Sequence, residues 1–246
     1  MEEKNLIFGR HPVIESIQSG ESIDKIVLQQ GIRGEFEKEI RQLGKQFGIP
    51  IQYVPKERMN RMVSANHQGI IAYVSPIQYQ AIEELIPKLT DKHESPLILV
   101  IDGITDVRNI GAIARTAEVF GVHAILMADR GNAMLGADAI KASAGALGKI
   151  PVCRTSSLVK SVEFLQMSNF QVLASDLKAE QTIDEMDFTL PTAVVMGSES
   201  KGISKVIAKV ADHRFIIPQV GETDSLNVSV ATGVILYECM KHRSAS

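Results

Sequence analysis

The spacing of apolar residues in the front third of the chain alternates between helical and strand-like. Over residues 34–47 apolar side chains recur at intervals of four, three and four, which is typical of one face of a helix. The segment 6–17 predicts a further helix that starts near Pro12, and residues 55–63 predict a basic one. Short apolar runs between them indicate strands: KIVLQ, IQYV and GIIAYV. This part is therefore predicted to be a small α/β unit, residues 1–76.

From residue 95 to the end, apolar runs and helical segments alternate regularly. The runs predict strands at LILVID, HAILMA, IPVCR, QVLASD, TAVVMG and RFIIP. The segments between several of them predict helices at 109–120, 136–147, 156–167 and 203–210, with one more at the end of the chain. Strands that are apolar throughout and separated by helices are typical of a parallel sheet covered on both faces. The fold class is therefore α/β, with the larger domain at residues 95–246.

Residues 77–94 separate these two parts. Prolines and the polar run TDKHES interrupt the periodicity there, so the segment is predicted to be a linker that contains one short helix.

Composition narrows the possible classes of protein. The 246 residues are 45% hydrophobic and 22% charged, which fits a globular protein, and no apolar run approaches the ~18 residues of a membrane span. The two cysteines, Cys153 and Cys239, give no disulfide framework, and the histidines show no metal-ligand spacing. We expect a cytoplasmic protein without signal peptide or metal. The net charge of −3 argues weakly against an extensive nucleic-acid surface.

Three loops follow predicted parallel strands and carry the candidate chemistry: residues 102–115, 197–204 and 218–229. Ligands of parallel sheets bind at the carboxyl ends of the strands. The first loop lacks the GxGxxG fingerprint of dinucleotide-binding proteins, and GSESKGIS in the second carries its lysine too early for a phosphate-binding P-loop. These differences argue against a nicotinamide dehydrogenase, a Rossmann-type methyltransferase and an NTPase.

Several polar residues in these loops also have purely structural explanations. Asn109 is predicted to be a helix N-cap, and Ser225 and Asn227 are possible caps of the last helix. Arg115 lies in a run of small apolar residues, so its charge requires a partner or a function, and Glu118 is one possible partner.

The stretch 225–241 changes its pattern halfway. Residues 225–230 alternate polar and apolar as in a half-buried strand, whereas the remainder, VILYECMK, predicts a buried helix. Three small polar residues at the entrance of an apolar helix suggest a ligand site.

Taken together, the three loops resemble a known family. The sequences RNIGAIARTAEVFG, VVMGSESKGIS and IPQVGETDSLNVSVATGVILYE resemble, in order, the three motifs of the SpoU/TrmH branch of the SPOUT methyltransferases. In the front unit, IFGRHPVIESI and ANHQGIIAYV resemble the substrate-binding domain of RlmB-like 23S rRNA ribose methyltransferases. The resemblance implies a trefoil-knotted parallel-sheet domain, a smaller domain similar to ribosomal protein L30e, and a homodimer.

The resemblance also implies an activity. It is the transfer of a methyl group from S-adenosylmethionine to a ribose 2′-hydroxyl of RNA, with a guanosine in 23S rRNA as the expected target. The same chemistry on tRNA and a non-catalytic RNA-binding factor are the alternatives. By position, the family's catalytic residues correspond to Asn109, Arg115, Glu199, Ser225 and Asn227, and its cofactor-binding positions to Met196, Gly197, Gly202, Ile217, Pro218 and Leu226.

Two further expectations concern the RNA. A guanidinium resists deprotonation, with a pKa above about 12, so Arg115 is expected to bind a phosphate and stabilise charge on the oxygen rather than act as a base. The candidates for RNA contact in the front domain are Arg10, His11, Asn66, His67 and Gln68.

One departure from the family motif is visible. Many relatives carry Asp-Pro before the motif asparagine, where this chain has Asp106-Val107-Arg108. This difference is expected to alter the stiffness of the loop more than its chemistry.

Overall fold

The computed structural model describes residues 6–244, and the chain divides into two compact units between Gln78 and Tyr79. The first unit contains β1 Leu6–Phe8, α1 Arg10–Gln18, β2 Ile23–Gln29, α2 Glu35–Gln46, β3 Ile51–Val54, α3 Lys56–Met62 and β4 Ile70–Val74. Its sheet has the order β1-β4-β2-β3, in which β4 is antiparallel to both neighbours and β2 and β3 are parallel.

Both faces of this small sheet are covered by helices. Ile40 and Leu43 of α2 pack with Val13 and Ile17 of α1 in one apolar cluster, as the spacing of apolar residues in α2 predicts. Met59 of α3 belongs to a second cluster, built on the alternate residues of β2 and β4. The first strand, β1, lies within the segment for which the sequence predicted only a helix.

The second unit is an eight-stranded sheet with helices in the connections. Its elements are β5 Tyr79–Gln80, α4 Ile82–Lys92, β6 Leu97–Asp102, α5 Val107–Val119, β7 Ala124–Ala128, α6 Ala137–Ala142, β8 Val152–Thr155, α7 Leu158–Met167, β9 Gln171–Ser175, β10 Gln181–Thr182, β11 Thr192–Gly197, α8 Lys205–Val210, β12 His213–Ile216 and α9 Val228–Ser244.

The strand order of this sheet is β10-β12-β9-β11-β6-β7-β8-β5, and each neighbouring pair is parallel. The predicted α/β class with a parallel sheet is confirmed. Because the strands are parallel, the loops after β12, β9, β11 and β6 leave the same edge of the sheet side by side. The trefoil knot, which strand order alone does not define, remains a prediction.

The segment 77–94 is not the linker that the sequence predicted. Its strand β5 pairs with β8, and α4 contributes Ile82, Leu85, Ile86 and Leu89 to the apolar core of the second unit. These residues have helical spacing, but Pro87 inside α4 and the polar residues after it concealed the pattern. Proline weakens a helix because it removes one backbone hydrogen bond, and burial of the apolar face offsets that cost here.

The predicted strand pattern at 225–230 is also wrong. Residues 225–227 form an irregular segment, and α9 already begins at Val228. Leu226 and Val230 stay exposed, whereas Val228 is buried, so the alternation of polar and apolar residues does not mark a sheet face.

Candidate active site

An open cleft with a volume of about 80 Å³ lies at the carboxyl edge of the large sheet. We call it the strand-end cleft; it is formed by the ends of β9, β11 and β12 and by the start of α9. Its lining residues are Ser175, Asp176, Leu177, Met196, Gly197, Ser198, Glu199, Gly202, Ile216, Ile217, Gln219, Ser225, Leu226, Val228 and Ala231.

One wall of the strand-end cleft is backbone rather than side chain. After β11 the chain turns sharply: the N–H of Ser198 donates to the carbonyl of Gly202 at 3.0 Å, and the N–H of Gly202 donates back at 2.8 Å. A Cβ atom at Gly197 would lie 2.1 Å from the backbone of Gly202 and Ile203, so only glycine fits there. Gly202 adopts a φ of +65°, which also favours glycine.

Three polar side chains from the three candidate loops meet in one hydrogen-bonded cluster. Asn109 donates through Nδ2 to Oε1 of Glu199 at 3.1 Å, and Asn227 donates through Nδ2 to Oδ1 of Asn109 at 3.2 Å. Asn227 also donates to the carboxylate of Glu199. The Glu199 carboxylate therefore accepts from both asparagines, which fixes its orientation at the edge of the strand-end cleft.

The sequence predicted that Asn109 caps α5, and this is wrong. Its side chain is therefore available for the cluster. Helix α5 begins at Val107, two residues earlier, and its cap is Asp106, whose carboxylate accepts from the N–H of Arg108 at 2.7 Å. Gly111 packs against α6, where a Cβ atom would lie 2.3 Å from that of Ala142.

Asn227 has two roles. Its Oδ1 accepts from the N–H of Ser229 at 2.9 Å, which satisfies a free backbone amide at the start of α9. Its Nδ2 remains available for Glu199 and Asn109. The capping contact therefore leaves Asn227 free to join the cluster, and its role in the site stays a prediction. Ser225 lines the strand-end cleft nearby.

Two of the predicted site residues lie outside this arrangement. Arg115 is exposed in the second half of α5 and forms no hydrogen bond or ion pair with residues 6–244. Glu118, its suggested partner, pairs instead with Lys149 at 3.2 Å. Pro218 is exposed in the loop after β12 and does not line the strand-end cleft.

The sequence analysis missed the loop after β9, which supplies Asp176 and Leu177 to the strand-end cleft. The Asp176 carboxylate accepts from Arg214 at 3.1 Å. A signal was present, since QVLASD ends on an aspartate as LILVID does at Asp102. Asp102 has a structural contact, because its Oδ2 accepts from the N–H of Ser204 at 2.6 Å and so holds the loop after β11.

The first unit has a groove of its own, of about 600 Å³, lined by Arg10, His11, Gln29, Lys56, Asn60, Ala65, Asn66, His67, Gln68 and Gly69. It contains all five of the residues that the sequence proposed for RNA contact. We call it the donor groove.

Over residues 6–244 there is no group of three or more histidine, cysteine, aspartate or glutamate side chains placed to hold a metal ion. None of the helices in the same range combines the length and apolar character needed to cross a membrane.

Two protein-family models match the chain and together cover nearly all of it. Residues 96–237 match the SpoU rRNA methylase family. Residues 6–80 match the family described as RNA 2′-O ribose methyltransferase substrate binding.

Individual relatives agree with the family models. The TrmH family tRNA/rRNA methyltransferase YacO of Bacillus subtilis is 33% identical over 244 residues, which is 99% of this chain and 98% of YacO. The SpoU methyltransferase AviRb from Streptomyces viridochromogenes, solved in complex with AdoMet, is 21% identical with a TM-score of 0.62, over 98% of this chain and 91% of AviRb. An AdoMet-bound rRNA methyltransferase from Sinorhizobium meliloti is 22% identical with a TM-score of 0.62, over 97% and 87% of the two chains.

Proposed function

The chain belongs to the SpoU rRNA methylase family of RNA 2′-O-ribose methyltransferases, and from this premise we propose that it methylates a guanosine of 23S rRNA. The enzyme transfers a methyl group to the 2′-hydroxyl of a ribose in RNA. The observation that carries the proposal is the cluster of Asn109, Glu199 and Asn227, which joins three strand-end loops beside the strand-end cleft.

The residues of the strand-end cleft fit S-adenosylmethionine. Ile217 and Leu226 offer apolar surface for an adenine ring, while the tight turn between Gly197 and Gly202 contributes backbone to the wall of the cleft. The bound cofactor supplies an activated methyl group on a positively charged sulfur. Backbone contacts of this kind suit a cofactor that is the same in every reaction cycle.

The chain's own contribution to the reaction is mainly alignment. Methyl transfer is an in-line displacement, so holding the ribose oxygen in position removes much of the entropic barrier. Asn109 and Asn227 orient the Glu199 carboxylate, which can then accept a hydrogen bond from the ribose hydroxyl. Arg115, exposed and without a partner among residues 6–244, binds the adjacent phosphate and stabilises negative charge on the oxygen.

The family model that matches residues 96–237 is described as an rRNA methylase, which favours rRNA over tRNA as the substrate. The front unit matches a substrate-binding domain over residues 6–80, and its donor groove is basic, as binding of RNA requires. A tRNA substrate is the second candidate, because the related proteins are described as tRNA/rRNA methyltransferases.

We also propose that the protein is a homodimer. Helix α9 exposes Val230, Val234 and Tyr237, at 52, 40 and 53%, with the spacing of a single helix face. The ring of Tyr237 lies edge-on to Phe120, and Val119 beside it is 67% exposed. Contiguous apolar surface of this kind favours association of two copies. Light scattering should give twice the chain mass, and Val234→Lys should give a monomer.

Transfer of tritium from methyl-labelled S-adenosylmethionine tests the function. Unmodified 23S rRNA, 16S rRNA and tRNA are offered in parallel, and the labelled ribose is mapped by nuclease digestion and mass spectrometry. Label at one guanosine of 23S rRNA is the expected result. Label confined to tRNA would replace the substrate, and cofactor binding without transfer to any RNA would favour a non-catalytic RNA-binding factor.

A further inference from the structure

The donor groove of the first unit carries hydrogen-bonding and basic side chains but no carboxylate among its described lining residues. It lies between the start of α1, the helix α3 and the loop before β4. Its character depends on which way the amide side chains point, and the hydrogen bonds of the loop fix that direction.

Backbone donors orient two of these amides. Oε1 of Gln68 accepts from the N–H of Arg10 at 3.0 Å, and Oδ1 of Asn66 accepts from the N–H of Gln68 at 3.3 Å. A backbone N–H can only donate, so both contacts must involve the side-chain oxygen. The NH₂ groups of Asn66 and Gln68 have no partner within residues 6–244 and remain available to a ligand.

His67 fixes a third amide. Its Nδ1 accepts from the N–H of Gly69 at 3.0 Å, so the proton of the neutral ring lies on Nε2. Nε2 lies 2.9 Å from Oδ1 of Asn60, which must therefore accept. Burial, with a smaller effect from Lys56, lowers the pKa of His67 and favours this neutral form. The NH₂ group of Asn60 is left as a further free donor in the described part of the chain.

Positive charge completes the donor groove. The Arg10 guanidinium lies 4.2 Å from the centre of the Phe36 ring, which supports its flat face and leaves its N–H edge available. Lys56 lines the same cavity. The groove thus offers donors and cations together, which selects a ligand whose exposed edge carries only acceptors.

We propose that the donor groove binds one unpaired guanosine of the RNA substrate, an inference that rests on the proposed function. Guanine presents two acceptors, O6 and N7, on one edge, whereas adenine presents one acceptor and one donor there. The amide groups of Asn66 and Gln68 donate to O6 and N7, and Arg10 and Lys56 bind the neighbouring phosphates. Unpaired bases are the usual target of sequence-specific RNA recognition, since their edges are accessible.

Fluorescence anisotropy with the full-length protein tests the base preference. The probes are a labelled oligouridylate with one central guanosine and the same RNA with adenosine or 7-deazaguanosine at that place. We expect the guanosine probe to bind about tenfold more tightly than either, because each of them loses one of the two acceptor contacts. Equal affinity for guanosine and adenosine would overturn the proposal.

Single substitutions test which side chains of the donor groove cause the preference for guanosine. Gln68→Glu and Asn66→Asp keep the oxygen that accepts the backbone N–H but replace the outward NH₂ with an acceptor, so the loop should fold unchanged. Each should abolish the preference for guanosine. Gln42→Glu adds the same charge at an exposed position of α2 and should preserve it. Retention of the preference in both groove variants would also overturn the proposal.

The two proposals fail separately. The binding measurement needs neither cofactor nor methyl transfer, so a guanosine preference in a protein that methylates no RNA would leave the donor groove intact and remove the proposed function. In the opposite case, Gln68→Glu and the unchanged chain transfer methyl groups at equal rates to every RNA offered. That result would leave the proposed function intact and remove the donor groove.

Discussion

The strand-end cleft and the donor groove differ in what lines them: backbone and apolar side chains dominate in the first, polar and basic side chains in the second. In the strand-end cleft the tight turn at Gly197 places backbone against the ligand space. In the donor groove the side chains of Asn66 and Gln68 accept hydrogen bonds from backbone N–H groups, and the Arg10 guanidinium lies against the Phe36 ring. Backbone suits a cofactor that never changes, whereas side chains can be exchanged when the RNA target differs. Substitutions in the two cavities should therefore have separable effects.

The largest expected effect comes from Gly197→Ala. The added Cβ would lie 2.1 Å from the backbone of Gly202 and Ile203, so the turn must open. We expect calorimetry to detect no binding of S-adenosylmethionine and the Tm to fall by roughly 5–10 °C, the result of an overpacking cost of about 1–3 kcal/mol. Binding of the guanosine probe should stay within about twofold of the unchanged protein.

Gly148→Ala is the matched control, because a Cβ atom there would meet no atom within 4 Å. Normal cofactor binding by Gly197→Ala would show that the turn does not form the cofactor wall.

Next in size is the effect of Glu199→Ala. This change removes the acceptor shared by Asn109 and Asn227, so the polar cluster loses its fixed geometry. At saturating cofactor the methyl-transfer rate should fall about a hundredfold, the usual result of a small misplacement at a reacting centre. Glu222→Ala, in the exposed loop after β12, should keep the full rate. Equal rates for the two variants would remove the cluster from the mechanism.

Arg115→Lys tests whether a planar, two-pronged cation is needed. Lysine keeps the charge but cannot bind a phosphate through two parallel hydrogen bonds. Transfer should fall about tenfold while calorimetry shows unchanged cofactor binding. The control is Arg108→Lys, because the Arg108 side chain is 90% exposed beside Asp106. Near-full activity of Arg115→Lys would mean that charge alone suffices.

A smaller effect, confined to the donor groove, is expected for Lys56→Ala. Loss of one phosphate contact should weaken RNA binding a few-fold and make the plot of log K against log salt shallower by about 0.7. Cofactor binding should not change. Lys45→Ala, on the exposed last turn of α2, should alter neither quantity. An unchanged salt slope for Lys56→Ala would place the phosphate elsewhere.

The smallest effect concerns pH and is confined to His67. In the folded protein, burial lowers the pKa of His67 below its ordinary value. As the pH falls, the unfolded chain therefore takes up a proton at this residue before the folded protein does, which favours unfolding. Stability attributable to His67 should therefore fall as the pH drops through about 6.5 and continue to fall until the lower folded pKa is reached.

Tm measurements at about pH 7.5 and about pH 5.5 check this prediction. The drop should be smaller in His67→Gln than in the unchanged protein, whereas His11→Gln, at an exposed position, should show the full drop. An identical drop in all three proteins would assign the pH dependence to other groups, such as His123, whose pKa burial also lowers.

The sequence predicted the large sheet well because its strands are long apolar runs that only burial on both faces explains. It failed where tertiary contacts override a local signal. Burial of Ile82 and Leu85 stabilises α4 despite Pro87, which no local rule favours. The two short strands β5 and β10 have only two residues each, too few to show a period.

The sequence predicted some features of the candidate site and missed others. The order of the three loops, and with it the family, followed from their motifs and is confirmed by the family models. The contact between Asn109 and Glu199 could not be derived, because it depends on whether α5 begins at Val107 or later. One helical residue turns a side chain by 100°, so an error of two residues redirects it entirely. The roles of these residues, and of Arg115, stay predictions.

The hydrogen bond between Asn109 and Asn227 joins residues 118 positions apart. During synthesis the first partner leaves the ribosome long before the second exists, so this contact forms only after almost the whole chain has been made. Contacts across such separations cost loop-closure entropy and slow folding. A truncated chain that ends before α9 lacks the α9 side of the cluster, and we expect it to be inactive in methyl transfer.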